Sequence, residues 1–289
     1  MKNSKWIGIF IPVVVIIIAI WYFWGFTSDT FYYDKYVKVS GIDSFHLVKK
    51  GAFIKHTVSF DAPFYTMTKA NNHTIIGDCV DLEGHYRFVA TYDTITHKYK
   101  RITKIGGIEL DQRISVNEDM SAFYCGERDR GIVRYDMKTG ESSVLLKFGE
   151  KEKFYEPTVT RDEKQAYYLY KNALHVADLK TQTGTSLISG VSSYVLSHNE
   201  DFIIYSTGYT LYKYDIATGE HTELKDCNDR IYELSISGDD NKVGYVTYIG
   251  SIVPGLDNTI FHVYDLRTGA TRNPYRSHYI ESVNPIILW

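Results

Sequence analysis

Eleven residues of this 289-residue chain are the best candidates for chemistry or recognition, and all fall in short segments between β-like runs. They are Glu83 and His85, then Glu127, Arg128 and Arg130, then Asp229 and Arg230, then Arg276 and His278, with the apolar Ile252 and Leu256 beside them. Carboxylates, guanidiniums and imidazoles gathered on one rim can hold a charged ligand or a partner's peptide through charge-assisted hydrogen bonds. A solvated surface has the same mixture, and isolated histidines such as His85 and His278 are more often structural or solvent-facing than ligating. The segment Ile249–Leu256 is apolar, and apolar rim loops more often dock something than float. It can equally fold over its own molecule. No G-x-S-x-G, H-E-x-x-H, C-x-x-C or S-x-D-x-G-x-x-W occurs. These are the spacings that a nucleophile elbow, a zinc helix, a thiol pair and an Asp box require. No catalytic residue, metal ligand or cofactor is therefore assigned.

What positions these residues is a phrase repeated about five times. It reads GIVRYDMKTGE from Gly131, ALHVADLKTQTG from Ala173, TLYKYDIATGE from Thr210 and TIFHVYDLRTGA from Thr259, with a degenerate copy RFVATYDTITHKYK from Arg87. Each has an alternating β-branched and aromatic run, then an Asp whose carboxylate can accept backbone N–H groups. A Gly follows that tolerates positive φ, and a second run comes after it. That is a hairpin. Upstream lies a second hairpin with a polar turn, as in SVNEDMSAFY from Ser115, TVTRDEKQAYYL from Thr158, VLSHNEDFIIYS from Val195 and SISGDDNKVGYV from Ser235. Four strands per period cannot bury their faces alone, so the units must pack on one another. The marker aspartates Asp93, Asp136, Asp178, Asp215 and Asp265 recur at the roughly 40-residue spacing of propeller blades. No segment after residue 30 holds a helical period.

The paired patterns resemble the WD40-like repeat of the TolB type, also seen in the propeller domain of prolyl oligopeptidases. The resemblance covers about residues 60–276. The family's Ser-Pro-Asp-Gly turn is degraded here: Ser237-Gly238-Asp239-Asp240 is the nearest copy, with Thr160-Arg161-Asp162-Glu163 and Ser197-His198-Asn199-Glu200 further away. No hydrolase domain of the peptidase kind follows the repeats. The resemblance implies an all-β propeller whose B–C and D–A loops share the ligand face, which is where the eleven candidates fall.

Five complete blades are expected, at about 61–104, 108–148, 155–189, 191–225 and 227–276. An open ring would leave two edges exposed. The C-terminal strand Ser282–Trp289 is therefore expected to join the N-terminal hairpin of 43–60 in a sixth, composite blade, with five or seven blades as alternatives.

Trp6 to Trp24 carries no charge. As a helix it would be close to the ~30 Å hydrocarbon core of a bilayer, with Trp and Tyr at its ends. It is longer than a usual signal-peptide core and has bulky aromatics where a small-residue cleavage site should lie. The expected organisation is a tail at 1–5, a transmembrane anchor at 6–26, a linker at 27–42 and the propeller at 43–289. The slight lysine bias ahead of the helix favours a cytoplasmic N-terminus and an extracytoplasmic propeller, periplasmic in a Gram-negative cell.

Net charge is −3 with a pI near 6.4 and interleaved signs, unlike the basic stripe of a nucleic-acid binder. Twenty-five tyrosines are mostly expected in the core, a minority on a peptide or carbohydrate surface. Cys79 and Cys125 occupy corresponding strand positions and are either buried thiols or a disulfide; Cys227 stands apart. The expectation is a membrane-anchored, non-enzymatic platform for an envelope protein partner or a ligand. The alternative is a lyase, hydrolase or binding protein acting on a carbohydrate or peptide at the channel mouth.

Overall fold

The structure is a computed structural model. It describes residues 31–39, 42–50, 55–60, 64–69, 74–80, 87–93, 95–96, 98–105, 114–117, 119–127, 130–149, 152–249, 258–276 and 282–288. The expected anchor and the Trp6–Trp24 run lie outside them. Among the described residues no helix is long and apolar enough to cross a membrane.

Every described element is a strand. The described elements begin with β1 (Phe31–Val39), β2 (Ile42–Lys50) and β3 (Lys55–Phe60). Five blades of four consecutive antiparallel strands follow. Blade 1 holds β4 (Phe64–Lys69), β5 (Thr74–Val80), β6 (Arg87–Asp93) and β7 (Tyr99–Ile105). Blade 2 holds β8 (Ser115–Val116), β9 (Ala122–Glu127), β10 (Gly131–Asp136) and β11 (Ser142–Leu146). Blade 3 holds β12 (Phe154–Val159), β13 (Gln165–Tyr170), β14 (Ala173–Asp178) and β15 (Thr183–Ser189). Blade 4 holds β16 (Ser193–Leu196), β17 (Phe202–Ser206), β18 (Thr210–Asp215) and β19 (His221–Asp226). Blade 5 holds β20 (Ile231–Ile236), β21 (Lys242–Ile249), β22 (Asn258–Asp265) and β23 (Thr271–Arg276). The last strand is β24 (Ser282–Leu288).

Blades of four consecutive strands thus number five, not six. The remaining four-stranded sheet is assembled from both ends of the chain in the order β24-β1-β2-β3. Its first strand corrects the expected linker at 27–42, because Phe31–Val39 pairs along its whole length with β2 and on its other side with β24. The physical reason is visible in FYYDKYVKV, an aromatic and β-branched run suited to a sheet. The first strands of the sheets meet one another: β16 lies against β20, and β24 lies against both β20 and β4.

The core sits between blades. In β9, Phe123 and Cys125 pack with Ile76 and Val89 of blade 1, whereas Ala122 and Tyr124 pack with Phe154, Ala166 and Tyr168 of blade 3. In β13, Ala166 and Tyr168 face blade 2, whereas Tyr167 and Leu169 face Tyr194, Ile203 and Tyr205 of blade 4. Ile204 then turns to Ile231, Val243 and Tyr245 of blade 5. The period-2 alternation of a strand sends successive side chains to opposite neighbours. A middle strand is therefore buried throughout, as in the unbroken run AFYCGE of β9. Among the described side chains most tyrosines belong to this packing, and Tyr92, Tyr124, Tyr194 and Tyr245 are fully buried. Cys79 and Cys125 are buried free thiols and Cys227 is a half-buried one.

The Asp-x-x-Thr-Gly hairpins close as the sequence implies. Oδ1 of Asp136 accepts the N–H groups of Lys138 and Thr139, and Oδ1 of Asp265 those of Arg267 and Thr268. Gly140, Gly219 and Gly269 stand at φ of 75, 74 and 70°. Blade 3 differs, because Gln182 takes that position at φ 59°. Its side-chain amide donates to the Leu145 carbonyl of blade 2 and accepts the Lys147 N–H.

The first turns of blades 2 to 5 repeat this device. Met120, Glu163, Glu200 and Asp240 occupy the same left-handed position at φ of 57, 53, 60 and 55°. Such a conformation costs a non-glycine residue roughly 1–2 kcal/mol. Three of the four are acids, and each reaches back to the preceding blade. Glu163 accepts the Tyr124 phenol at 2.6 Å and Arg134 Nε at 3.2 Å. Glu200 accepts the Arg161 N–H at 2.7 Å. Asp240 accepts the N–H groups of His198 and Asn199 at 2.8 and 3.0 Å. Hydrogen bonds to a charged acceptor contribute about 1.5–3 kcal/mol each, so the bridges outweigh the strain.

Two outcomes follow from these turns. Asp240→Gly should destabilise the fold by about 1–3 kcal/mol, because relief of strain does not replace two lost bonds, whereas Met120→Gly should change stability by less than about 1 kcal/mol. Denaturant midpoints measured side by side check the contrast. Asp162 is held down to about 2 by Lys164 and the Thr160 hydroxyl, and Asp239 to about 2 by Asn241 and the Ser237 hydroxyl. Because these folded-state values lie below the ordinary carboxylate value, their stabilisation is fully present above about pH 4 and is lost as pH falls toward about 2. The midpoint of an Asp162→Asn, Asp239→Asn variant should therefore fall less steeply with acidification than that of the unaltered chain.

Candidate functional site

The two kinds of loop occupy opposite faces. On one, the C–D turn donates to the A–B turn in four blades: Met137 N to Ser121 O at 2.8 Å, Leu179 N to Lys164 O at 2.9 Å, Ile216 N to Asp201 O at 3.0 Å and Leu266 N to Asn241 O at 2.8 Å. On the other, B–C turns bond to the connections between blades. Gly190 N donates to Asn172 O at 2.8 Å, Cys227 N to Tyr209 O at 2.9 Å and Ile231 N to Gly208 O at 2.6 Å. The second face is the one on which the eleven candidates were expected.

Glu127 ends β9 and is 1% exposed, which corrects its expected place on a solvated rim. The phenol of Tyr135, on the neighbouring strand β10, donates to its Oε1, and Arg130 Nη1 donates to Oε2 at 2.7 Å. Arg130 also reaches the Ser142 hydroxyl at 3.1 Å. The alternation that buries β9 carries its last side chain inward, and the arginine folds back over it. Burial, and then donation to Glu127, push the Tyr135 phenol's pKa up. Glu127 and Arg130 therefore fasten the blade 2 turn. Gly131 follows at φ 108°, where a side chain would collide with the Leu146 carbonyl.

Asp229 and Arg230 lie in the connection that leads from β19 into β20. Arg230 is exposed, has no ion-pair partner among the described residues, and stands 5.4 Å from the ring centroid of Tyr232. The bond from Cys227 N to Tyr209 O holds this connection beside the blade 4 turn, so Asp229, Arg230, Tyr209 and Tyr232 share one neighbourhood. Arg276 ends β23 with its backbone opposite Ile260. Glu83, His85, Arg128, Ile252, Leu256 and His278 lie outside the described residues. Among the described residues no group of three or more His, Cys, Asp or Glu is placed to hold a metal ion.

The composition of this face that spacing did not reveal is aromatic. Of the four large hydrophobic side chains that are exposed among the described residues, Tyr155, Tyr209 and Tyr232 lie at this end, and Ile95 is on the opposite turns. The Lys171 ammonium stands 4.7 Å from the Tyr170 ring centroid in the blade 3 turn, and Glu152 accepts the Tyr170 phenol at 2.7 Å. Tyr155 and Tyr232 are each the second residue of the first strand of a blade, a recurrence readable only once the hairpins are aligned by their pairing. Rings, a guanidinium and an ammonium suit recognition, whereas the Thr247 hydroxyl that meets His262 Nε2 at 2.8 Å is buried.

No protein-family model matches the chain, and no curated protein matches it in sequence. Solved structures do. TolB from Acinetobacter baumannii superposes with a TM-score of 0.68 at 16% identity, over 88% of this chain and 65% of that one. A nidogen/laminin complex gives 0.62 at 8% identity, over 88% and 97%. An oligogalacturonate lyase in complex with manganese gives 0.53 at 11% identity, over 87% and 74%. This chain thus spans just under two thirds of the TolB chain. At these identities the likeness is one of fold: the chain is similar to a TolB-type, WD40-like β-propeller.

Proposed function

We propose that this protein is a membrane-anchored propeller of the cell envelope that binds a protein partner and has no catalytic activity of its own. One observation carries the reading. The turns of blades 3 and 4 and the connection from blade 4 to blade 5 present, on one face, Lys171 against Tyr170, the exposed Tyr209, and Arg230, which has no ion-pair partner among the described residues. Tyrosine and arginine dominate the residues that carry binding energy in protein interfaces. The TolB likeness supports a platform, and the nidogen/laminin neighbour was solved as a complex of two proteins. The charge-free run from Trp6 to Trp24 supports the anchor. The composite sheet of β24, β1, β2 and β3 acts in this proposal as the sixth blade, because β24 lies against the first strands of both blade 5 and blade 1.

Two measurements test the proposal. The full chain should remain with membranes through an alkaline carbonate wash and pass into the soluble fraction when residues 1–26 are deleted; a full chain released by the wash overturns the anchor. Cross-linking in membranes should capture one specific protein with the full chain. A Lys171→Ala, Tyr209→Ala, Arg230→Ala variant should lose it, and an Ile95→Ala, Lys138→Ala variant on the opposite face should keep it. Equal capture by both variants, or none by the full chain, overturns the platform.

A further inference from the structure

Strand directions fix the face at which the chain enters the first described strand. In blade 3, Phe154 at the start of β12 pairs with Tyr170, which leads into the B–C turn, and Val159 pairs with Ala166 beside the A–B turn. A first strand therefore runs from the B–C face to the A–B face, and a second strand runs back. In the sheet built from both ends of the chain, β24 meets the first strands β20 and β4, so β1 stands where a second strand stands. Phe31, the first residue of β1, accordingly lies on the face of the A–B and C–D turns. The register agrees. Phe31 is opposite Lys50, which leads toward β3 as a third strand leads toward a fourth, and Val39 is opposite Ile42 at the other end.

Two lengths then decide what this entry point implies. The run read above as an anchor closes at residue 26, so residues 27–30 alone separate it from Phe31. Fully extended, that tether reaches about 18 Å at most. β1 has nine residues, and at the rise of a strand it spans about 27 Å between the two faces. The tether is shorter than the strand, so it is too short to turn the B–C face onto the bilayer. The face of entry also carries Ile95, 62% exposed at the C–D turn of blade 1. Asp93 Oδ1 accepts the N–H groups of Ile95 and Thr96 and fixes that turn. Blade 1 is a neighbour of the tethered sheet, because β4 lies against β24.

We propose that the face of the A–B and C–D turns is apposed to the bilayer that holds residues 6–26, with Ile95 on the lipid side. The face that bears Lys171, Tyr209 and Arg230 is then turned away from that bilayer, and whatever occupies it approaches from the aqueous side. This inference rests on the anchor reading and is independent of the partner reading.

The test is energy transfer from single labelled thiols to a headgroup-labelled acceptor lipid in phosphatidylcholine vesicles that hold the full chain. Cys227→Ser removes the half-buried thiol, and Cys79 and Cys125 are buried. A membrane-impermeant maleimide donor is placed at Ile95→Cys, Lys180→Cys or Ala217→Cys on the C–D turns, and at Lys153→Cys or Asn228→Cys on the opposite face. Across a strand length of about 27 Å, transfer should be at least about twofold more efficient from each of the first three sites than from either of the last two. Insertion of about forty Gly and Ser residues between Thr30 and Phe31, which extends the reach by about 35 Å, should bring the contrast below about 1.5-fold. Thermal unfolding of each labelled chain identifies any site that disturbs the fold, and the remaining sites still decide. Equal transfer from both faces, as in a propeller lying on its edge, overturns the proposal, and so does the reverse order. A contrast that survives the insertion overturns the tether as its cause. Flotation of the same vesicles separates the two readings: a chain that does not float with lipid overturns the anchor and this proposal together, whereas a chain that floats without the contrast overturns this proposal alone.

Discussion

The sheets of blades 2, 3 and 4 each have two apolar faces, and every other feature depends on both being covered. A four-stranded sheet exposed on one side would leave half of each middle strand in water. In β9 that would uncover either Phe123 and Cys125 or Ala122 and Tyr124, all buried in the structure. A linear stack would only move the problem to its two ends. The contact of β24 with both β20 and β4 addresses it by making the chain's two ends share one sheet. β1 is the joint in that arrangement, hydrogen-bonded to β24 on one side and β2 on the other.

Polar bridges reinforce the apolar packing in a consistent direction. Glu163, Glu200, Asp240 and Gln182 all hold left-handed backbone positions and all reach the preceding blade. Glycine at these positions would be free of strain but would leave the neighbour's N–H groups without those acceptors. This accounts for the degraded Ser-Pro-Asp-Gly turns: the residue that departs from the pattern makes the bridge. The acid bridges belong to the A–B turns, at the face opposite the exposed tyrosines. On the face of those tyrosines, backbone bonds such as Ile231 N to Gly208 O join neighbouring blades, and the Glu127–Arg130 pair fastens the blade 2 turn.

The hairpins were legible because their signals are local. An Asp that accepts two N–H groups within three residues needs no knowledge of the rest of the fold, and Asp136 and Asp265 behave accordingly. Signals that span blades were not legible. Glu163 reads as one more turn acid until Tyr124, thirty-nine residues earlier, is placed beside it. β1 was hidden because its partner β24 lies at the far end of the chain. Glu127 looked like a rim residue because a strand's last side chain can face either way, and only Tyr135 on the next strand decides it. The tyrosines were concealed by abundance: most of those whose side chains are described pack in the core, and Tyr155 and Tyr232 stand out only through exposure and their place as second residue of a first strand.

The fate of the charged candidates bears on what this face does. Glu127 and Arg130 neutralise one another inside the blade, and Glu152 is engaged by the Tyr170 phenol and the Gly149 N–H. Donation by that phenol and that N–H holds the Glu152 carboxyl below the ordinary range, so it stays an acceptor and is a poor proton donor. The thiol of Cys227 is pushed up by burial, away from the thiolate that a nucleophile needs. Glu127, Arg130, Glu152 and Cys227 are thus committed to structure. Arg230, Tyr155, Tyr209 and Tyr232 remain exposed, and rings beside a cation are the groups that the proposed protein interface would use.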